Sequence, residues 1–217
     1  MSELNALQLS DGYACLSHAI GDKSGVLRQI IRPEVNLALW QRPALRDIVR
    51  EVSGADVLQL ADVRQSTSID SFDADVASLL GRQGLDPDAY GGLRADLKHL
   101  AELFFTIGKI NNAQFRLVGT DRDDCKRFHV DRKRLRMLCT YRGPGTEWLT
   151  DAQVDRVAQT RCAPNSAMIR YGSPMKFQHF WVGIMKGDPD NHGHGLVHRS
   201  PPIEAAGDCR VLFCMDC

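Results

Sequence analysis

The spacing of apolar residues changes character near residue 112. Before it, apolar positions recur at the three-and-four interval of an amphipathic helix; after it, they come in short runs rich in β-branched and aromatic residues. The longest helical pattern covers 88–107, with Leu93, Leu97, Leu100, Leu103 and Phe104 on one face. A second helix is predicted over 44–52, with Pro43 near its first turn and Gly54 beyond its end, and a third over 71–82, with Ser71 as cap and Gly84 after it. Residues 35–40, bounded by Pro33 and Pro43, read as a short strand.

Beyond 112 the pattern predicts strands over 114–118, 127–131, 135–141, 146–149, 167–171, 180–185, 196–199 and 210–215, separated by Gly, Pro and Asp turns. Short antiparallel strands in this number predict a closed or sandwich-like sheet of the jelly-roll or cupin type. The expected fold is therefore α+β and a single structural domain. Residues 113–217 form the β core and the helix-rich region 1–112 packs on it. Residues 187–195, GDPDNHGHG, have the composition of a long loop.

Composition narrows the setting. The 217 residues are 43% hydrophobic and 25% charged, ordinary values for a globular protein. No stretch approaches the roughly 20 apolar residues of a membrane span, and no secretory signal is legible, so a cytoplasmic protein is expected. With 27 basic and 27 acidic residues there is no global attraction for nucleic acid. The segment 126–136 is locally basic, which reads first as the charged solvent face of an alternating strand and, as the alternative, as a rim that attracts an acidic substrate. Seven cysteines, at 15, 125, 139, 162, 209, 214 and 217, read as reduced thiols. Cys214 and Cys217 form a terminal C-x-x-C, either a zinc or redox pair or one inward strand residue beside a frayed end.

The candidate chemistry lies in the β region. His129 and Asp131 are two apart on a predicted strand, so both side chains leave the same face about 7 Å apart along the chain. His198 lies on a later strand, and Arg210 opens the last one. This order of His-x-Asp, distant His and then Arg resembles the iron(II)/2-oxoglutarate-dependent oxygenase superfamily, whose fold is a double-stranded β-helix. The resemblance implies His129, Asp131 and His198 as ligands of Fe(II), with Arg210 pairing the far carboxylate of 2-oxoglutarate through a bidentate fork. The stretch from Leu138 to Trp148 looks like the prolyl-hydroxylase-type strand, glycine turn and returning strand, which would put Tyr141 or Thr140 on the cosubstrate. More closely, the chain resembles a bacterial family of unassigned function carrying FHVD, CTYRGPGTEWL and VHRSPP blocks. The same three ligands would also hold zinc, manganese or nickel.

Two other readings stay open: a cupin-like protein that senses or stores a metal without turnover, and a metal-dependent hydrolase or isomerase. The substrate is expected to be a small molecule or peptide. Arg199 is expected to face away from His198 by strand alternation, and the 200–202 turn to shape a hairpin without binding. His192 and His194 read as loop histidines, His179 as a packed or edge histidine, and Trp40, Trp148 and Trp181 as core material. His18 and His99 receive no role, and a Cys125 or Cys139 nucleophile with His129 lacks an orienting third group.

Overall fold

The computed structural model describes residues 17–188 and 194–217. Its strands are β1 (His18–Gly21), β2 (Leu37–Trp40), β3 (Gln65–Ser68), β4 (Asn112–Thr120), β5 (Leu135–Arg142), β6 (Glu147–Trp148), β7 (Met175–Lys176), β8 (Val182–Lys186), β9 (His198–Arg199) and β10 (Arg210–Asp216). The helices are α1 (Arg46–Glu51), α2 (Phe72–Arg82), α3 (Gly91–Gly108), α4 (Arg156–Thr160) and α5 (Asn165–Met168), with a 3-10 helix at Ser24–Ile31. No described helix is long and apolar enough to cross a membrane.

A mixed α+β architecture results, with seven strands in the order β1-β2-β8-β5-β10-β4-β3 and a smaller sheet in the order β7-β6-β9. Every pairing is antiparallel except β1 with β2. The N-terminal region thus does more than cover the sheet: β1, β2 and β3 are woven into it.

Strand alternation builds two cores from one sheet. On β5, Leu135, Met137, Cys139 and Tyr141 face the helices, as do Val211, Phe213 and Met215 on β10. They meet Leu93, Leu97, Leu100 and Phe104 of α3, the apolar face that its spacing predicts. The opposite faces present Leu138, Leu212 and Cys214 to Trp148, Phe177 and Leu196. Polar residues share this inter-sheet side, namely Arg136 and Thr140 from β5 and Arg210 and Asp216 from β10, all buried. α3 ends at Lys109, which takes the left-handed conformation at φ 51°.

Several expected elements differ. Residues 127–131 form no extended strand and make only a bridge between His129 and His198. Residues 167–171 do not form a strand: the short helix α5 occupies their start, because Asn165 turns its side chain back to bond the Phe128 amide and the Lys126 carbonyl. β8 begins at Val182, since Phe180 adopts φ 67° and breaks the extended run.

Candidate metal centre

The bridge between His129 and His198 is reciprocal, each amide donating to the other's carbonyl at 3.0 Å. It brings the two imidazoles together with ring centroids 4.6 Å apart. Asp131, two residues on, joins them: its Oδ2 lies 3.3 Å from His198 Nε2 and its Oδ1 3.7 Å from His129 Nε2. One ligand atom from each of the three falls within 4.8 Å of the others, a grouping able to hold a metal ion.

Backbone contacts fix how each ring presents itself. His129 Nδ1 is 2.8 Å from the Arg127 carbonyl and His198 Nδ1 is 3.1 Å from the Leu196 carbonyl. A carbonyl only accepts, so each Nδ1 carries the proton and each Nε2 keeps its lone pair for the shared space. Asp131 Oδ1 accepts from Arg136 Nη1 at 2.7 Å, and Arg136 is itself gripped by Asp216 at 2.5 and 2.9 Å. Asp131 Oδ2 is buried with no hydrogen-bond partner among the described residues. A buried carboxylate oxygen left bare is costly unless something cationic meets it, so the donor set fits a divalent metal.

The electrostatics agree. Burial by itself would raise the Asp131 pKa, but the adjoining His129 imidazole and the charges of His198 and Arg136 hold the carboxyl well below the usual carboxylate range. Asp131 in turn raises the His129 pKa against the effect of burial. Burial pulls His198 down to about 4, so its imidazole is neutral and available as a ligand near pH 7.

Arg210 occupies the same inter-sheet space and is 2% exposed. Its Nη2 donates to the hydroxyls of Thr140 at 3.1 Å and Thr146 at 2.8 Å, and Nη1 lies 3.5 Å from Ser200 Oγ. Among the described residues no carboxylate pairs with it, and its Nε has no partner. Burial accordingly pulls the guanidinium down to about 10. Thr140 thus lies beside Arg210 in the inter-sheet space. The two threonine hydroxyls are uncharged, and the Asp124 carboxylate acts on the guanidinium through space without an ion pair among the described residues.

Tyr141 is a correction. It is the extra residue of a bulge, since Val211 pairs with Arg142 and Leu212 with Thr140. Its ring faces the helical layer, where its hydroxyl donates to Asp96 Oδ2 at 2.6 Å beside the Arg42–Asp96 ion pair. It does not meet the inter-sheet space. Cys139 lies on that same wrong face and bonds Arg42, so it cannot serve His129, and burial raises its thiol to about 11. Cys125 is exposed.

Arg199 faces outward, pairing with Glu147 at 2.7 Å and covering the Phe128 ring. Ser200, expected only to shape a turn, brings its hydroxyl to Arg210. Cys214 joins the inter-sheet core while Cys217 packs toward the helices, because residues three apart on a strand leave opposite faces. The pair does not converge. Trp148 is buried beside His198 in register, Trp40 and Trp181 are partly buried, and His179 and His194 are exposed. His99 meets Trp40 edge-on, and His18 meets Trp148. Cys15 and His192 lie outside the described residues. Sequence reasoning missed Arg136, Asp216 and Thr146; alternation from Arg210 along β10, with Asp216 paired to Arg136 of β5, was the signal available for the first two.

A family model described as "Protein of unknown function (DUF1826)" matches residues 21–216. No curated protein matches the sequence significantly. Among solved structures, the chain is similar to a prolyl-4-hydroxylase of Pseudomonas putida at 11% identity, covering 81% of this chain and 94% of that one with a TM-score of 0.37. It is similar to a C-terminally truncated Neurospora crassa protein in its apo form at 15% identity, covering 69% of this chain and 48% of that one, with a TM-score of 0.33. A Shewanella oneidensis chain provisionally described as an oxygenase gives 10% identity, coverage of 92% and 88%, and a TM-score of 0.43.

Proposed function

The chain belongs to the DUF1826 family, and we propose that it is a non-haem Fe(II)/2-oxoglutarate-dependent oxygenase built on a double-stranded β-helix. One observation carries the reading: Arg210, a buried guanidinium that forms no ion pair among the described residues, shares an interior with a His-Asp-His cluster whose Asp131 Oδ2 has no hydrogen-bond partner among them. A metal store needs the cluster alone. A cosubstrate with two carboxylates needs both.

In this reading His129, Asp131 and His198 hold the metal. Iron(II) bound there, with 2-oxoglutarate, supplies activation of dioxygen coupled to oxidative decarboxylation of the cosubstrate. The chain's own contribution is orientation and exclusion of water. The Arg127 and Leu196 carbonyls set the imidazole tautomers, and Arg136 occupies Asp131 Oδ1 so that Oδ2 is the oxygen presented. Arg210 binds the far carboxylate of the cosubstrate, with the Thr140 and Thr146 hydroxyls fixing the plane of its fork. Placing that carboxylate in a buried site gives the interaction more strength than it would have in water.

Calorimetric titration of metal-free protein with Mn(II) under anaerobic conditions tests the ligand set. One equivalent should bind, and Asp131→Ala and His198→Ala should each abolish binding while the circular dichroism spectrum is unchanged. Equal affinity in those variants would remove the assignment. One-equivalent binding by wild type with no response to 2-oxoglutarate would leave a metal-binding protein without turnover.

A further inference from the structure

The segment that carries His129 has little sheet to hold it. His129 and His198 exchange both backbone bonds at 3.0 Å, and the regular ladder stops there. In an antiparallel ladder continued from that pair, Ser200 would face Arg127. Its amide instead passes to the Cys125 carbonyl at 3.1 Å. The Arg127 carbonyl is thereby left to the ring of His129, whose Nδ1 lies 2.8 Å away. His129 is also the most exposed side chain of the cluster, at 34% against 10% for Asp131 and 5% for His198.

On the other edge of the segment stands one side chain. Asn165 Oδ1 accepts from the Phe128 amide at 2.9 Å, and its Nδ2 donates to the Lys126 carbonyl at 2.9 Å. A carbonyl and an amide two residues apart on one edge are the groups that a neighbouring strand would meet, so the carboxamide stands in for a peptide unit of that strand. Arg127 ties the same junction from the opposite direction, its Nη2 donating to the Cys162 and Ala163 carbonyls. Apolar packing seats this clamp behind the metal centre. Phe128 and Val197, the neighbours of His129 and His198, turn away from the ligands and meet Leu149, Val154 and Met168.

We propose that Asn165 is a positioning residue of the metal centre. By fixing the 126–128 backbone it aims the Arg127 carbonyl at His129 Nδ1, which keeps the proton on that nitrogen and leaves Nε2 to the metal. It acts through Arg127 and touches no ligand atom. The metal in this proposal rests on the function proposed above; the state of the imidazole does not.

Proton–nitrogen correlation NMR of the metal-free full chain, isotopically labelled at its histidine nitrogens, reads the tautomers at alkaline pH. The His129 signals are identified by their loss in His129→Gln. Wild type should show His129 protonated at Nδ1. Asn165→Ala should add an Nε2-protonated form of His129 and leave His198, whose Nδ1 is set by the Leu196 carbonyl, unchanged. Mn(II) affinity by calorimetry should fall about tenfold in the same variant. Asn165→Asp keeps the acceptor for Phe128 and loses the donor to Lys126, so it should lie between the two in both measurements. Tyr141→Phe, a destabilising change on the helical side of the sheet, should match wild type in both. A wild-type tautomer or a wild-type Mn(II) affinity in Asn165→Ala overturns the proposal. An equal change in Tyr141→Phe does so too, since it would reduce the effect to lost stability. Should Asn165→Ala fail to fold, Asn165→Asp decides, and wild-type values in it overturn the proposal. Wild type that does not bind Mn(II) would overturn the proposed function, whereas binding by wild type with an unaffected Asn165→Ala variant would overturn this inference alone.

Discussion

Replacing Arg210 by Met should separate function from stability. Burial pulls the guanidinium from 12.5 down to about 10, which corresponds to about 3 kcal/mol against the charged form. Its hydrogen bonds to Thr140 and Thr146, at about 1.5 kcal/mol each for a charged donor, offset most of that penalty. Met fills a similar space with a flexible apolar chain. The cost of Arg210→Met should therefore stay within about 1 kcal/mol, against the 2–5 kcal/mol typical, on the order of magnitude, of truncating a buried Leu or Ile. Urea unfolding of the metal-free proteins measures this difference. The Mn(II)-loaded forms should then differ sharply. At a hundredfold excess over its Kd, 2-oxoglutarate should stabilise wild type by about 2.7 kcal/mol, raising Tm by roughly 5–10 °C for a chain of this length. The variant should show no rise. A variant that loses more than about 3 kcal/mol would mean that the charge is compensated in the folded protein. A retained 2-oxoglutarate shift would show that Arg210 is not the anchor.

Three further outcomes follow from the same geometry. Arg136→Lys keeps the charge but loses the fork that joins Asp131 to Asp216, so Mn(II) affinity by calorimetry should fall about 10- to 100-fold. Tyr141→Phe removes a buried hydroxyl bonded to Asp96 and should destabilise by about 1–3 kcal/mol in urea while leaving 2-oxoglutarate affinity unchanged. Asp123 accepts from the Glu204 and Ile203 amides and pairs with Lys126, which pulls its pKa from 3.8 down to about 2. A depressed carboxyl stabilises above its unfolded pKa and loses that contribution as pH falls through the folded one; acid titration of Asp123→Asn should therefore lack the part of the stability loss that wild type shows between about pH 4 and about 2.

What the sequence made legible was local and periodic. The α3 face at Leu93, Leu97, Leu100 and Phe104 and the alternation of β5 and β10 are written in spacing that burial enforces. His129, Asp131 and His198 were traceable because two of them share a strand-like triplet, and the structure brings them within reach of one another. Tyr141 was misread because neighbours in sequence leave opposite faces of a strand: Thr140 and Tyr141 cannot both meet the inter-sheet space. β1 and β3 went unseen because four-residue strands held by pairing, with polar residues such as Gln65 and Ser66, carry little periodic signal. Residues 167–171 failed for a different reason, since a side-chain contact from Asn165 outweighed strand propensity.

The most direct test of the account is the anaerobic visible spectrum of the protein with Fe(II) before and after 2-oxoglutarate. Wild type should develop the weak charge-transfer band of a metal-bound 2-oxo acid, and Asp131→Ala and Arg210→Met should each fail to develop it at the same concentrations. Fe(II) binding with no spectral response to 2-oxoglutarate, or an undiminished band in either variant, would contradict the account.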